Sequence, residues 1–310
     1  MVRQHIQVYT SFVTKSHIYI KGRLLANSIP KSRETDSHIR ALWVSFRRAL
    51  TREVKNAVVK LKYGKQEIDL MTDDEGYFEY LTAVDKVKSA SWIQLIAVVG
   101  GKTQTLDVQL SKYLESVELG IISDIDDTIM ITKVKSLFKL RMLINSVFIN
   151  PFRRRPIASA AAFYRQELTS IEGKGPIVYI SNSPWNMYDY VKAFLTYNGF
   201  PKGEIQLRDF GLHMLRKKKP LQFQNKYLEI SKVLKVFQNT KFMLVGDSAE
   251  SDFDIYSKIN YEYPGRIDKI VIIKAGNIQN EERITETIGE TQEPIFQLVK
   301  SFSDLLSQDK

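Results

Sequence analysis

Cysteine is absent from the 310 residues, which excludes a disulfide framework, a thiolate nucleophile, iron–sulfur clusters and Cys-ligated zinc. Histidine is nearly as scarce. His5, His17, His38 and His213 are scattered singly, with no pair at the spacing of a zinc hydrolase. Long apolar runs are also missing: the most hydrophobic uncharged stretch, residues 89–101, has 13 residues, against about 20 for a membrane-crossing helix. The opening MVRQHIQVYTSFVTK lacks the apolar core and small-residue site of a secretory signal. A cytoplasmic protein is therefore expected, with peripheral attachment to membrane as a variant. The remaining composition, 44% hydrophobic and 26% charged, is that of a folded globular chain. At roughly 150 residues per domain, the length suggests two domains. Lysine and arginine outnumber aspartate and glutamate by 45 to 35, a net charge of +10. That excess suits nucleic acid, a membrane surface or an anionic substrate, and its position along the chain has to discriminate.

Two rhythms divide the sequence. Residues 1–116 read mainly as short strands. Runs 17–25 and 57–61 are β-branched and alternating, 71–80 (MTDDEGYFEY) suggests a hairpin around Gly76, and 91–99 is a further apolar run. One stretch, 37–50, instead places Ile39, Leu42, Trp43, Phe46 and Leu50 at helical spacing. The expectation is a small β-sandwich-like accessory domain, with Asp73, Asp74 and Glu75 forming a solvated turn. From about Val117 the pattern changes to short buried strands alternating with helices. Runs 117–123, 176–180, 241–245 and 269–274 have strand character, and 157–168, 185–198 and 225–237 have helical character. Such alternation predicts an α/β domain over 117–310, a doubly wound parallel sheet whose ligand crevice lies at the carboxyl ends of the strands.

Those ends carry the chemistry. The first strand runs into Asp124-Ile125-Asp126-Asp127-Thr128, the second into Ser181-Asn182-Ser183, and the third into Gly246-Asp247 with Asp252 five residues later. Asp124, Asp126, Asp247 and Asp252 would thus meet on one edge. Like charges so placed repel, and a bound divalent cation relieves them. An all-oxygen donor set selects Mg²⁺ over zinc or copper. Phosphoryl transfer fits: Asp124 as nucleophile, Asp126 as acid and then base, and Ser181 with Lys226 on the transferring oxygens. Lys226 is expected at the start of a helix over 225–237. Thr128, Asn182 and the run Arg153, Arg154, Arg155 are candidate substrate-binding residues.

The order DxDxT, serine, lysine, GDxxxxD resembles the haloacid-dehalogenase superfamily of phosphohydrolases. More narrowly, GIISDIDDTI (120–129), AAFYRQEL (161–168), YISNSPWNMY (179–188), LRDFGL (207–212), FMLVGDS (242–248) and YPGRI (263–267) are similar to the phosphatidate phosphatase family named from the yeast actin-patch protein. The similarity covers about residues 117–275. Residues 1–116, with MTDDEGYF, resemble the β-domain that precedes the catalytic domain in bacterial members. The resemblance implies a haloacid-dehalogenase-like fold and phosphatidate as substrate. It also implies Asp124 as nucleophile, Asp126 as acid/base, Ser181 and Lys226 as phosphate ligands, and Asp247 with Asp252 at Mg²⁺. The main-chain carbonyl of Asp126 would be a further metal ligand. Asn225 before Lys226, Ala249-Glu250 after GDS and Asp252-Phe253-Asp254 depart from the family pattern and bear on substrate preference.

The charge is unevenly placed. Residues 129–175 hold nine basic against two acidic residues, and 212–241 hold eight against one, whereas 275–310 hold three against seven. The two basic segments bracket the acidic edge. A helical basic cap over about 129–160, including the Arg153–Arg155 run, is expected to face an anionic head group or an anionic membrane. Nucleic acid is not an expected partner, because no recognition motif occurs and the basic segments flank a carboxylate cluster. The alternatives are a phosphatase for a soluble or protein-bound phosphomonoester, and a non-catalytic protein that binds anionic membranes on the same fold.

Overall fold

The computed structural model describes residues 5–27, 30–49, 52–83, 91–99, 101–113, 117–131, 150–170, 175–208, 220–249, 251–291 and 294–306. Most of the expected basic cap (132–149) and the first part of the second basic segment (212–219) lie outside them. The chain divides into two compact units: Met1–Lys31 with Leu42–Ser116, and Ser32–Ala41 with Val117–Lys310.

Among the described residues the first unit holds eight strands, β1 (His5–Thr14), β2 (His17–Leu25), β3 (Val58–Tyr63), β4 (Gln66–Met71), β5 (Tyr77–Ala83), β6 (Trp92–Val99), β7 (Lys102–Gln109) and β8 (Ser111–Tyr113). They form two four-stranded sheets, ordered β5-β2-β1-β8 and β4-β3-β6-β7. Ile18, Ile20 and Leu24 from the first sheet and Val59, Leu61 and Leu95 from the second join in one hydrophobic cluster. Each such side chain contributes about 1.5–3 kcal/mol on burial. The helix α1 (His38–Ala49) matches the expected 37–50 stretch. The hairpin expected over 71–80 does not form. Met71 ends a strand paired with β3, whereas Tyr77 begins one paired with β2. Local hydrogen bonding explains the difference: Asp73 Oδ1 accepts from the amides of Glu75 (2.9 Å) and Tyr77 (2.8 Å). Gly76, at φ 79°, approaches the Leu24 carbonyl so closely that a Cβ would lie 2.7 Å from it. The acidic turn is consumed by its own backbone.

The second unit contains β9 (Leu119–Asp124), β10 (Ile177–Pro184), β11 (Glu204–Arg208), β12 (Lys241–Asp247), β13 (Ile267–Ile273) and β14 (Phe296–Val299). Its helices are α2 (Ala160–Ser170), α3 (Tyr188–Tyr197), α4 (Pro220–Val236), α5 (Asp252–Glu262), α6 (Ile278–Thr291) and α7 (Phe302–Leu306). The six strands run β11-β10-β9-β12-β13-β14, and each neighbouring pair is parallel. Counted from β9, the spatial order is 3-2-1-4-5-6, so the direction of winding reverses between β9 and β12, where open α/β sheets place their ligands. The strands β11 and β14 are additional to those expected from sequence. Both lie at the edges, where short runs interrupted by polar residues give a weak apolar signal.

Candidate active site

Register brings the strand ends together. Ile180 on β10 is level with Asp124 on β9, and Val245 on β12 is level with Ser123. Asp124, Ser181 and Asp247 therefore leave the sheet within about one residue of one another at the reversal point. Beyond Asp124 the chain folds into a compact turn. The amides of Ile129 and Met130 both donate to the Ile125 carbonyl (3.1 and 3.0 Å), and the Asp127 amide donates to the Met130 carbonyl (2.9 Å). Asp127 takes a left-handed conformation, φ 57°, which Asp tolerates better than most residues. The turn keeps Asp126 and Thr128 beside the strand ends.

Asp124, Asp247 and Asp252 form a buried group whose ligand oxygens all lie within 4.8 Å of one another. Lys226 joins two of them. Its Nζ donates to Asp124 Oδ1 at 2.7 Å and to Asp252 Oδ1, and the ammonium is as buried as the carboxylates, at 2% exposure. The helix α4 begins at Pro220, so Lys226 lies inside it and not at its start. Asp252 opens α5, and its Oδ2 accepts from the Asp247 amide at 3.3 Å. Gly246 makes this possible: a Cβ there would overlap Asp252 Oδ2 and lie 2.7 Å from Asp252 Cβ. Three buried carboxylates against one ammonium leave an excess of two negative charges, and the donor set is oxygen alone. Such a site fits a hard divalent cation.

Asp126 points to a different set of partners. Its Oδ2 accepts from Ser181 Oγ (2.7 Å) and Ser183 Oγ (3.3 Å), while the Ser183 amide donates to Ser181 Oγ (2.9 Å). Its carboxyl is not among the three clustered ones. Thr128 Oγ1 is 3.5 Å from Asp247 Oδ2. Asn182 lies on β10 between the two serines and is half-buried. Of the three arginines, Arg153 ends the short 3-10 turn Pro151–Arg153 and Arg154 and Arg155 follow it. Arg153 Nη2 donates to the Asp36 carbonyl at 3.4 Å, and the Arg155 carbonyl accepts from the Ile131 amide at 3.1 Å, which ties this run to the turn after Asp126. Arg153 and Arg155 are exposed and Arg154 half-buried.

Two contributors escaped the sequence reading. Ser183 carries the same i, i+2 spacing that places alternate strand residues on one face with Ser181, and that spacing was the available signal. Gly246 had none beyond its place before an aspartate. Two tyrosines back the site: Tyr164 Oη lies 2.7 Å from Ser123 Oγ, which donates to the Asp124 carbonyl (2.6 Å), and Tyr256 Oη donates to the Val245 carbonyl (3.0 Å). Burial raises both phenols above their ordinary value, so they stay neutral and add no charge behind the carboxylates.

Similarity at 29% identity over 201 residues relates the chain to phosphatidate phosphatase APP1 of Saccharomyces cerevisiae, covering 62% of this chain and 33% of that protein. An uncharacterized protein of Schizosaccharomyces pombe is 25% identical over 213 residues, 66% of this chain and 34% of its own. The chain thus spans about a third of the length of each relative. Among solved structures, a carbohydrate acetylesterase from Xanthomonas citri aligns over 88% of this chain and 68% of its own at 7% identity, with a TM-score of 0.27, too low to bear on fold or function. Residues 119–274, half of the chain and all of β9 through β13, match the family described as phosphatidate phosphatase APP1, catalytic domain. The chain belongs to that family.

Proposed function

We propose that this protein is a Mg²⁺-dependent phosphatidate phosphatase with a haloacid-dehalogenase-like fold, working through an aspartyl-phosphate. The observation that carries the reading is the buried Asp124–Lys226–Asp252 arrangement, with Asp247 beside it and Asp126 held separately by two serines. An Asp124 oxygen attacks phosphorus, and the bond from phosphorus to the lipid oxygen breaks. Asp126 gives its proton to that oxygen, releasing diacylglycerol. Asp126 then takes a proton from the water that attacks the phosphorylated Asp124, and the phosphorus–Oδ bond breaks to give inorganic phosphate and the starting carboxylate. Lys226 holds Asp124 in place and meets the phosphoryl oxygens as charge develops, and Ser181 turns its hydroxyl to the same group. Asp124, Asp247 and Asp252 would hold Mg²⁺, which supplies positive charge to offset the repulsion between carboxylate and phosphate. Thr128, Asn182 and Arg153–Arg155 would contact the substrate. Family membership supports the lipid phosphate as substrate, and the basic segments around the acidic edge suit an anionic one.

Phosphate release from phosphatidate dispersed in detergent, and from p-nitrophenyl phosphate, tests the reading. Activity should require Mg²⁺, stop with EDTA and fall by about 10⁴-fold or more in Asp124→Asn. Full activity in that variant, or none in the unmodified protein with either substrate, sinks it.

A further inference from the structure

Ser248, directly after Asp247, is fully buried and bonded at each of its polar groups. Its amide donates to the Ile273 carbonyl (2.9 Å), and its Oγ donates to Glu281 Oε1 (2.9 Å) and accepts from the Ala275 amide (2.8 Å). Its carbonyl accepts from Asn280 Nδ2 (2.6 Å). These partners all lie between the end of β13 and the first turn of α6. Asn277 fixes where that helix starts, since its Oδ1 accepts from the Asn280 amide (3.3 Å). Glu281 is tied down in turn. The Gly276 amide donates to the same Oε1 (2.9 Å), from a residue with the left-handed φ of 81° that favours glycine. Arg283 settles which way Asn280 faces. Its Nε and Nη2 donate to Asn280 Oδ1 (3.0 and 2.8 Å), and a guanidinium has no acceptor, so the amide nitrogen is left for Ser248. The same guanidinium donates to both carboxylate oxygens of Asp254 on α5 (2.8 and 3.2 Å), two residues beyond Asp252.

We propose that the first turns of α6 are a clasp that holds the Asp247 and Asp252 carboxylates in place, with Asn280, Glu281 and Arg283 as positioning residues. The clasp rests on the cation site proposed above for its purpose and deepens that reading. Asp247 Oδ1 accepts from the Ala249 amide, a bond that spans Ser248, and Asp252 Oδ2 accepts from the Asp247 amide. Pinning Ser248 therefore pins both carboxylates. Left to themselves, like charges this close drive each other apart. Every bond of the clasp is made by the chain's own groups, so the carboxylates are set before a cation arrives, and a preorganised site binds more tightly. The helix lies beyond residues 119–274, which match the family. It is thus a support added by this chain outside the matched domain.

The Ala249 and Asp247 amides report on the clasp directly, one bonded to the Asp247 carboxylate and the other to that of Asp252. Their hydrogen exchange, followed by NMR on the full chain in EDTA, should speed up about tenfold in the double variant Asn280→Ala, Glu281→Ala. The amides of Ile121 and Ile122 in β9 measure opening of the whole unit and should speed up clearly less. Glu281→Gln keeps the accepting Oε1 and should leave exchange near normal. Arg283→Gln should change it about twofold, since its ion pair with Asp254 is exposed. Unchanged rates in the double variant overturn the proposal. So does an acceleration that Ile121 and Ile122 share equally, since the loss would then be one of overall stability. With Mg²⁺ added, the concentration giving half of the thermal stabilisation should rise about tenfold in the double variant. The concentration for half-maximal phosphate release should rise with it, while kcat at saturating Mg²⁺ falls by less than about threefold. Faster exchange at Asp247 and Ala249, with no response of the unmodified protein to Mg²⁺, would leave the clasp standing and remove the cation reading. A normal Mg²⁺ response of the double variant with unchanged exchange would do the opposite.

Discussion

Buried charge is met in opposite ways at two places, Arg23 in the β-rich unit and the Asp124 group in the parallel-sheet unit. In the β-rich unit Arg23 is buried, but its guanidinium donates to Glu53 Oε1 (2.9 Å) and the Glu75 carbonyl (2.7 Å) and lies 4.5 Å from the centroid of the Tyr77 ring. One cation meets one anion and two softer acceptors, and the account closes locally. In the parallel-sheet unit Asp124, Asp247 and Asp252 cluster, and one lysine bonds two of them, Asp124 and Asp252. There three carboxylates face one ammonium among the described residues. Burying unlike charges together ties parts of a fold, whereas burying an excess of one sign costs stability unless something else is bound. The contrast teaches where to look for chemistry: at the imbalance, not at burial as such.

Substitutions can break this contrast from either side. Asp126→Asn should lower phosphate release by about 10²–10⁴-fold while leaving thermal stability close to normal, measured by steady-state kinetics beside circular dichroism. Lys226→Met removes the one cation from the cluster and should destabilise the fold by about 3–5 kcal/mol in EDTA. Excess Mg²⁺ should restore part of that loss, because a ligand bound only to the folded state stabilises it. Thermal melts with and without the metal decide, and an equal deficit in both would count against the cation site. Arg23→Met should cost about 2–3 kcal/mol in the same melts, with no recovery on adding Mg²⁺ and with kcat unaltered. Ser183→Ala should have the smallest effect, less than about tenfold in kcat, since Ser181 still holds Asp126.

Alkaline pH offers a comparison without mutation. Burial raises the phenols of Tyr164, Tyr179, Tyr188 and Tyr256, all in the parallel-sheet unit. A group whose folded value is raised contributes stability that is complete below its unfolded value and is lost as pH climbs above it. Each such tyrosine should therefore cost up to about 1.4 kcal/mol per pH unit above about 10. Denaturant melts from pH 9 to 11 should show that loss, and a flat profile would contradict the buried phenols.

The sequence made the catalytic edge legible because carboxylates and hydroxyls stood directly after runs of β-branched residues, and a parallel sheet brings the ends of such runs to one side. Asp124, Ser181 and Asp247 were readable on that ground, and β9, β10, β12 and β13 with them. Pairing across distance was not. Nothing local in MTDDEGYFEY distinguishes two strands of one hairpin from strands of two different sheets, because partner choice is fixed by residues far away in the chain. Nor did composition separate Asp126 from the other three aspartates. Its neighbours Ser181 and Ser183 lie more than fifty residues away, and only the register of β10 against β9 brings them to it. Lys226 was read from residue type and order, while its depth within α4 depended on where that helix begins.

The central place of β9 has a dynamic consequence. With β10 on one side and β12 on the other, the amides before Asp124 have no edge from which to fray. Segments of that kind exchange their hydrogens with solvent only when the whole unit opens. The anchorage of Asp124 is then as durable as the fold itself, and the backbone amides before it should be among the last to exchange deuterium. Catalytic placement and global cooperativity become one property of the chain.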